Sequence, residues 1–143
     1  MYLDSSIVVK LFVSEPGSLF YAQQVHGQSA VWSSELALTE SWSAFCRKHC
    51  EGHLDGETVR ESWARLEGCV QDGAVRLQPV TIPILRLANR MIEQCQRQVA
   101  IRTLDAIHLA SCEFRGASPL QTTDRVMRAA ATALHIPLGP LPS

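Results

Sequence analysis

Short apolar runs alternate with amphipathic stretches along the chain. The runs at 1–3, 30–32, 75–80 and 119–122 have the length and the flanking polar residues of buried strands. Apolar side chains recur at helical spacing in the segments 7–12, 19–25, 36–45, 57–70, 84–95, 104–114 and 126–134. Strands alternating with helices predict an α/β fold, an α/β/α sandwich around a central, mostly parallel sheet.

The middle of the chain departs from this alternation. Segments 36–45 and 57–70 follow each other without a strand between them, which predicts a helical hairpin inserted between strands. Residues 1–138 are predicted to form a single domain that ends in an edge strand at 135–138. The proline-rich residues 139–143 are expected to be a tail.

Polar residues before the apolar stretches predict where the helices begin. Ser, Thr and Asp side chains accept hydrogen bonds from the free N–H groups of a first helical turn, and proline is tolerated there. On this basis the predicted caps are Ser5 or Ser6, Ser33 or Ser34, Thr103 and Asp124, with Pro83 in the first turn of its helix.

Composition indicates a globular protein with its own core. The chain has 143 residues, of which 46% are hydrophobic and 19% charged, and no apolar run is long enough to span a membrane. The first residues lack the basic region and cleavage site of a secretory signal. Five cysteines without framework spacing predict reduced thiols. The expected location is therefore the cytoplasm.

Four acidic residues stand at the ends of predicted elements or on apolar helices. Asp4 ends the first strand, Asp124 follows the last one, Asp105 lies at the start of an apolar helix, and Glu40 shares a helix face with core positions. Asp105 by itself would only complement a helix dipole. Because the carboxyl ends of parallel strands meet at one edge of a sheet, where ligands bind, we expect the four to converge.

Convergence of four carboxylates has a chemical consequence. Crowded carboxylates repel one another, so they persist only where cations neutralise them, and Mg²⁺ or Mn²⁺ prefer such oxygen ligands. Ions of this kind support hydrolysis of phosphodiesters. The formal net charge of −1 argues against a broad basic surface for nucleic acid, yet it is compatible with an acidic pocket ringed by arginines.

Four sequence blocks resemble the acidic motifs of one known family. They are MYLDSS at 1–6, SELALTE at 34–40, LDAIHLA at 104–110 and TTD at 122–124. Their order and spacing are similar to those of PIN-domain ribonucleases, especially the VapC-like toxins of type II toxin–antitoxin systems, across essentially the whole chain. The resemblance implies a PIN-like fold and a Mg²⁺- or Mn²⁺-dependent endoribonuclease. It further implies an RNA substrate, a homodimer and a VapB-like antitoxin as partner; no membrane partner is expected, because no apolar run could span a bilayer.

The resemblance also assigns roles to residues of this sequence. It implies that Asp4 and Asp105 are primary metal ligands and that Asp124 binds or orients a second metal or a water. Glu40 matches the acid that completes the catalytic pocket. Two hydroxyl groups match positions that support the site, those of Ser6 and Thr122.

Some features leave alternatives open. Two thiols and two imidazoles fall within eight residues, a composition found in zinc sites but without a familiar spacing: Cys46, His49, Cys50 and His53. His108, inside an apolar helix, is expected to be a core or supporting residue rather than a ligand. Three basic side chains either contact RNA phosphates or are ordinary exposed charges: Arg47, Lys48 and Arg102.

Other functions fit the sequence less well. A phosphoacceptor receiver or a haloacid-dehalogenase-like phosphatase also has an Asp after the first strand, but each needs a later lysine, and only Lys10 and Lys48 are present. No glycine-rich nucleotide-binding motif occurs. The main alternative is a non-catalytic PIN-like module that binds RNA or a protein partner.

Overall fold

A single parallel sheet forms the centre of the molecule. The structure, a computed structural model, describes residues 1–143. Its four strands pair in the order β3-β2-β1-β4, and every pairing is parallel. The strands are β1 (Tyr2–Leu3), β2 (Trp32–Ser34), β3 (Arg76–Gln78) and β4 (Leu120–Gln121). The predicted α/β architecture is confirmed.

Seven helices cover the two faces of this sheet. They are α1 (Ser5–Phe12), α2 (Ser18–Val25), α3 (Leu36–Cys50), α4 (Gly56–Gln71), α5 (Ile82–Cys95), α6 (Thr103–Arg115) and α7 (Arg125–Ala133). None of them combines the length and the apolar character that a membrane-crossing helix requires.

The core consists of two apolar clusters separated by the sheet. One cluster has 16 buried residues, largely from α5, α6 and α7, and the other has 12, largely from α1 to α4. Tyr2 belongs to the first cluster and Leu3 to the second. Neighbouring strand residues point to opposite faces, so the two residues of β1 join both layers of the α/β/α sandwich.

The predicted helical hairpin is present as α3 and α4. Its helices are joined by aromatic contacts, with the ring centroids of Trp42 and Trp63 5.0 Å apart and those of Phe45 and Trp63 6.4 Å apart. Edge-to-face pairs at these distances stabilise a helix contact beyond the area they bury. The hairpin therefore packs through its own aromatic cluster.

The C-terminal segment differs from the prediction. Residues 135–138 form no strand, and only an isolated bridge links Leu138 to Leu120 of β4. The backbone N–H of Gly139 donates to the carbonyl of Leu120 at 2.8 Å, and Gly139 is buried. The packed part of the chain therefore includes Gly139, and the segment lies against β4 without extending the ladder.

Three of the predicted helix caps are wrong. Asp4, rather than Ser5 or Ser6, caps α1, because its carboxylate accepts the Ile7 N–H. An ionised acceptor makes a stronger bond to a helix N-terminus than a hydroxyl does.

At the start of α6, Arg102 occupies the capping position and Thr103 is the first helical residue. Asp124 caps α7 and Pro83 lies in the first turn of α5, both as predicted. Glu35, rather than Ser33 or Ser34, occupies the capping position of α3, although the Ser34 hydroxyl accepts the Leu36 N–H at 3.2 Å.

Candidate active site

The four acidic residues border one cavity at the carboxyl edge of the sheet. Asp4 follows β1, Glu40 lies on α3, Asp105 is in the first turn of α6, and Asp124 follows β4. The cavity has a volume of about 140 Å³, and no lysine or arginine lines it. The structure therefore brings together all four side chains that the sequence singled out, from segments as far apart as residues 4 and 124.

Asp4 is the most enclosed of the four, with 3% of its surface exposed. Its Oδ1 accepts hydrogen bonds from the Ile7 N–H at 2.9 Å and the Ser6 hydroxyl at 2.7 Å, and its Oδ2 accepts one from the Thr122 hydroxyl. Burial raises the pKa of Asp4, and these three hydrogen bonds oppose the rise. The carboxylate is thus held in one orientation by the two hydroxyls that the sequence had named.

Asp105 differs from Asp4 because no protein group bonds to it. The side chain is half-buried, and its pKa is raised first by burial and then by the negative charge of Asp124. Arg102 and His108 oppose this rise, and Asp4 adds the smallest contribution to it. An unpaired carboxylate beside two others is a costly arrangement in a folded protein. A cation in the cavity would remove that cost.

Asp124 is fixed by its position at the start of α7. Its Oδ1 accepts the Met127 N–H at 2.8 Å, and its own N–H donates to the Thr122 hydroxyl at 3.0 Å. The Thr122 hydroxyl therefore joins Asp4 to Asp124. The Oδ2 of Asp124 makes no protein hydrogen bond and is available to the cavity.

Glu40 is held by a buried polar network. Its Oε1 receives hydrogen bonds from the Ser5 hydroxyl and from Nε2 of His108, both at 2.7 Å. The Tyr2 hydroxyl lies 2.9 Å from Nδ1 of the same imidazole. Because a carboxylate only accepts, Nε2 of His108 carries a proton. Oε2 of Glu40 is left without a protein partner.

This network also sets the ionisation of Glu40. Burial raises the pKa of Glu40, but the interaction with His108 and the hydrogen bond from Ser5 outweigh it and hold the pKa below its ordinary value. His108 is 1% exposed, so it supports the site from behind, as the sequence predicted. Glu40 is therefore an ionised acid with one free oxygen.

The donor set suits a hard divalent cation. Every acidic group at the cavity offers carboxylate oxygen, and no cysteine lines it. No three His, Cys, Asp or Glu side chains are gathered closely enough to form a complete metal-ligand set. Mg²⁺ usually keeps several waters and binds through one or two carboxylates, so this arrangement fits it.

The cysteine and histidine cluster has no comparable geometry. His49 uses Nδ1 to contact the carbonyl of Leu54 at 2.8 Å, at the turn between α3 and α4. Cys50 is exposed, and His53 lies 3.5 Å from Glu51. The structure gives no support for zinc there, because His49 contacts the turn, Cys50 is exposed and His53 lies beside Glu51.

Sequence reasoning missed three residues that support the site. Ser5 and Tyr2 belong to the Glu40 network, and Arg128 donates to the carbonyls of Thr122 at 3.1 Å and Gly139 at 3.2 Å. Ser5 had a signal, since it directly follows Asp4, but it was considered only as a helix cap. Nothing local distinguishes Tyr2 or Arg128, because their partners are distant in sequence.

Comparison with known proteins defines the class. Residues 1–133 match the model of the PIN domain, so the chain belongs to the PIN-domain family. Among individual proteins, it is similar to Ribonuclease VapC46 of Mycobacterium tuberculosis. The two are 33% identical over 138 residues, which cover 94% of this chain and 92% of the relative. The resemblance to VapC-like PIN ribonucleases expected from the four acidic blocks is confirmed.

Proposed function

We propose that this protein is a metal-dependent endoribonuclease of the VapC type, the toxin of a toxin–antitoxin pair. One observation carries the proposal: Asp105 is an unpaired, half-buried carboxylate that shares a cavity with three other acids and no lysine or arginine. The similarity to a protein named a ribonuclease supports the choice of RNA as substrate.

Asp4, Asp105 and Asp124 would hold Mg²⁺ or Mn²⁺. When bound, such an ion neutralises phosphate charge and lowers the pKa of an attacking water. Asp4 is already oriented by three hydrogen bonds, and Asp124 is fixed by its helix, so the protein presents two of the three carboxylates in set positions. Preorganised ligands reduce the rearrangement that metal binding would otherwise require.

Glu40 would assist from α3, at the same cavity. Its free Oε2 is the oxygen able to accept a hydrogen bond from water, while His108 and Ser5 keep Oε1 in place. The lowered pKa of Glu40 keeps it ionised at neutral pH, as an acceptor of a water proton must be. His108 and Ser5 thus act through Glu40 rather than on the substrate.

The partners and the location are proposed from the family resemblance and from the cysteines. A VapB-like antitoxin and a homodimer follow from the family resemblance. Action in the cytoplasm is supported by the five cysteines, all of which are free.

The test compares Asp105→Asn with the wild-type protein. We expect metal-dependent RNA cleavage to fall by at least about 100-fold, because a metal ligand contributes more than the 10–100-fold typical of groups that only orient ligands. Calorimetric titration with Mn²⁺ should show weakened binding. Glu113→Gln, an exposed acid on the same helix, is the control and should behave as wild type.

Two outcomes contradict the proposal. If the wild-type protein binds RNA but does not cleave it with Mg²⁺ or Mn²⁺ present, the non-catalytic module is the correct function. If Asp105→Asn cleaves RNA at the wild-type rate, the metal assignment is wrong. Circular dichroism of both variants distinguishes a chemical effect from misfolding.

A further inference from the structure

Two further cavities extend from the acid-lined cavity along the surface between α1 and α3. The larger has a volume of about 500 Å³ and shares Ser5, Ser6 and Glu40 with the acid-lined cavity. The smaller, of about 170 Å³, shares Ser6 and Arg47 with the larger one. The three together form one continuous groove, which we call the α1–α3 groove.

The charge of the α1–α3 groove reverses along its length. The smaller cavity, which we call the basic end of the groove, is lined by Lys10, Arg47 and Lys48, with Glu15 as the only acid. Glu15 pairs with both lysines, at 3.1 Å from Nζ of Lys10 and in contact with Nζ of Lys48. Three cations against one carboxylate leave the basic end positive, and the ion pairs restrict the two lysines.

Arg47 is the free cation of this cluster. It is exposed, and its guanidinium makes no hydrogen bond or ion pair with the protein. A guanidinium presents several N–H donors in a geometry that suits phosphate oxygens. Arg47 is therefore ready to bind an anion without breaking an existing contact.

The position of Arg47 relative to the acids follows from the helix. Glu40 and Arg47 are seven residues apart on α3, so they lie on nearly the same face, two turns or roughly 10 Å apart along the axis. A linear polyanion bound at the acid-lined cavity reaches Arg47 within a short stretch of strand. Phosphate contacts of this kind position a nucleic acid without reading its sequence.

We propose that the basic end of the α1–α3 groove is a binding site for the RNA backbone beside the cleavage site, with Arg47 as its main phosphate contact. The proposal rests on the ribonuclease function proposed above. RNA fits the groove better than an acidic peptide. A single phosphodiester chain can bind the cation that the acid-lined cavity would hold and, with a neighbouring phosphate, the basic end. An acidic peptide has no group that needs the acid-lined cavity.

The test measures RNA binding and RNA cleavage separately. A labelled, single-stranded RNA oligonucleotide of mixed sequence is titrated with the full chain in EDTA, at several salt concentrations. For Arg47→Ala we expect affinity to fall roughly tenfold. We also expect the slope of log affinity against log salt to become shallower by about 0.7, the value for one lost phosphate contact on a single strand.

Two variants serve as controls. Arg47→Lys keeps the charge and should retain most of the salt slope while losing part of the affinity. Arg90→Ala removes an exposed helical arginine that lines none of the three cavities, and should bind RNA as wild type does. In cleavage assays with Mg²⁺, Arg47→Ala should raise KM with little change in kcat, because the contact is made in both the ground state and the transition state.

The outcomes separate this inference from the proposed function. If the wild type cleaves RNA and Arg47→Ala matches Arg90→Ala in affinity and salt slope, the assignment of the RNA-binding site is wrong. The proposed ribonuclease function is then unaffected. If a protein partner loses affinity for Arg47→Ala while RNA does not, the groove is a protein-docking site instead. If the wild type cleaves no RNA, the ribonuclease proposal itself fails.

Discussion

Thr122 shows how much of the site depends on one small side chain. Its hydroxyl donates to Asp4 and accepts the N–H of Asp124, while the Arg128 guanidinium donates to its backbone carbonyl. The side chain is fully buried, so its bond to Asp4 forms away from water, while the bonds with Asp124 and Arg128 are partly buried. One residue thereby fixes the spacing between two of the acids.

Replacing Thr122 by Val keeps the shape but removes the hydroxyl. We expect the free energy of unfolding to fall by about 1–3 kcal/mol, since the buried carboxylate of Asp4 and the partly buried N–H of Asp124 each lose a partner. RNA cleavage should fall about 10–100-fold, as is typical for groups that orient metal ligands. Chemical denaturation and cleavage rates measure the two effects.

Thr132→Val is the matched control for that change. Thr132 is exposed, and its hydroxyl bonds only to the Arg128 carbonyl of the preceding turn. Its replacement should change stability by no more than about 0.5 kcal/mol and leave cleavage intact. Equal effects of the two valine variants on cleavage would show that Thr122 does not orient the acids.

Asp105 is predicted to reduce the stability of the metal-free protein. Its pKa in the folded state is raised above the ordinary value of 3.8, so the folded state binds the proton more tightly than the unfolded state. Stability is therefore lost as pH rises from near 3.8 through the raised pKa. In EDTA at pH 7, Asp105→Asn should raise Tm by no more than roughly 2–4 °C, because solvent screens this half-exposed group.

Thermal unfolding at a series of pH values checks this sign. The difference in Tm between Asp105→Asn and wild type should shrink as the pH falls and the wild-type carboxyl becomes neutral. Saturating Mg²⁺ should reverse the order, because only the intact ligand set gains stability from the ion. A variant less stable than wild type in EDTA would show that Asp105 makes a stabilising contact instead.

At the scale of elements, two helix N-termini are parts of the candidate site. Asp4 caps α1 and Asp124 caps α7, so each carboxylate satisfies a backbone N–H with one oxygen and turns the other toward the cavity or a neighbouring hydroxyl. The positive end of a helix favours an ionised acid at this position. Local helix physics therefore places two of the four acids.

Substitutions at Asp124 can separate the capping role from the chemical one. Asparagine caps helices about as well as aspartate, so Asp124→Asn should keep the stability of the metal-free protein and lose RNA cleavage. Asp124→Ala should also lose the cap, at a further cost of about 0.5–2 kcal/mol. Urea unfolding in EDTA and cleavage assays give both quantities. Full activity of Asp124→Asn would show that the Asp124 carboxylate takes no part in RNA cleavage.

At the scale of the whole molecule, the C-terminal segment packs against β4 beside the candidate site. The guanidinium of Arg128 donates to the carbonyls of Thr122 and Gly139, and the Gly139 N–H donates to Leu120. The side chain of Gln121 is buried against Gly139. The end of the chain therefore supports β4 and, through Thr122, the position of Asp4.

Gly139 is required by this close packing. A Cβ at position 139 would overlap the amide group of Gln121, whose side chain is buried. Gly139→Ala should therefore destabilise the protein by about 1–3 kcal/mol. Gly68→Ala is the control, because Gly68 lies in α4 with open space around it. This change should raise the free energy of unfolding by about 0.5–1 kcal/mol. Comparable stability of the two variants would show that the segment is not packed in this way.

The sequence by itself determined the alternating elements, the inserted hairpin and the identity of the four acids. These features depend on periodicity, capping and short motifs, which act over a few neighbouring residues. Only the tertiary structure decided the strand order, the capping of α1 by Asp4, and the partners of each carboxylate. Tyr2 meets His108 across 106 residues and Thr122 meets Asp4 across 118. Such contacts arise from the packing of distant segments, which no local pattern encodes.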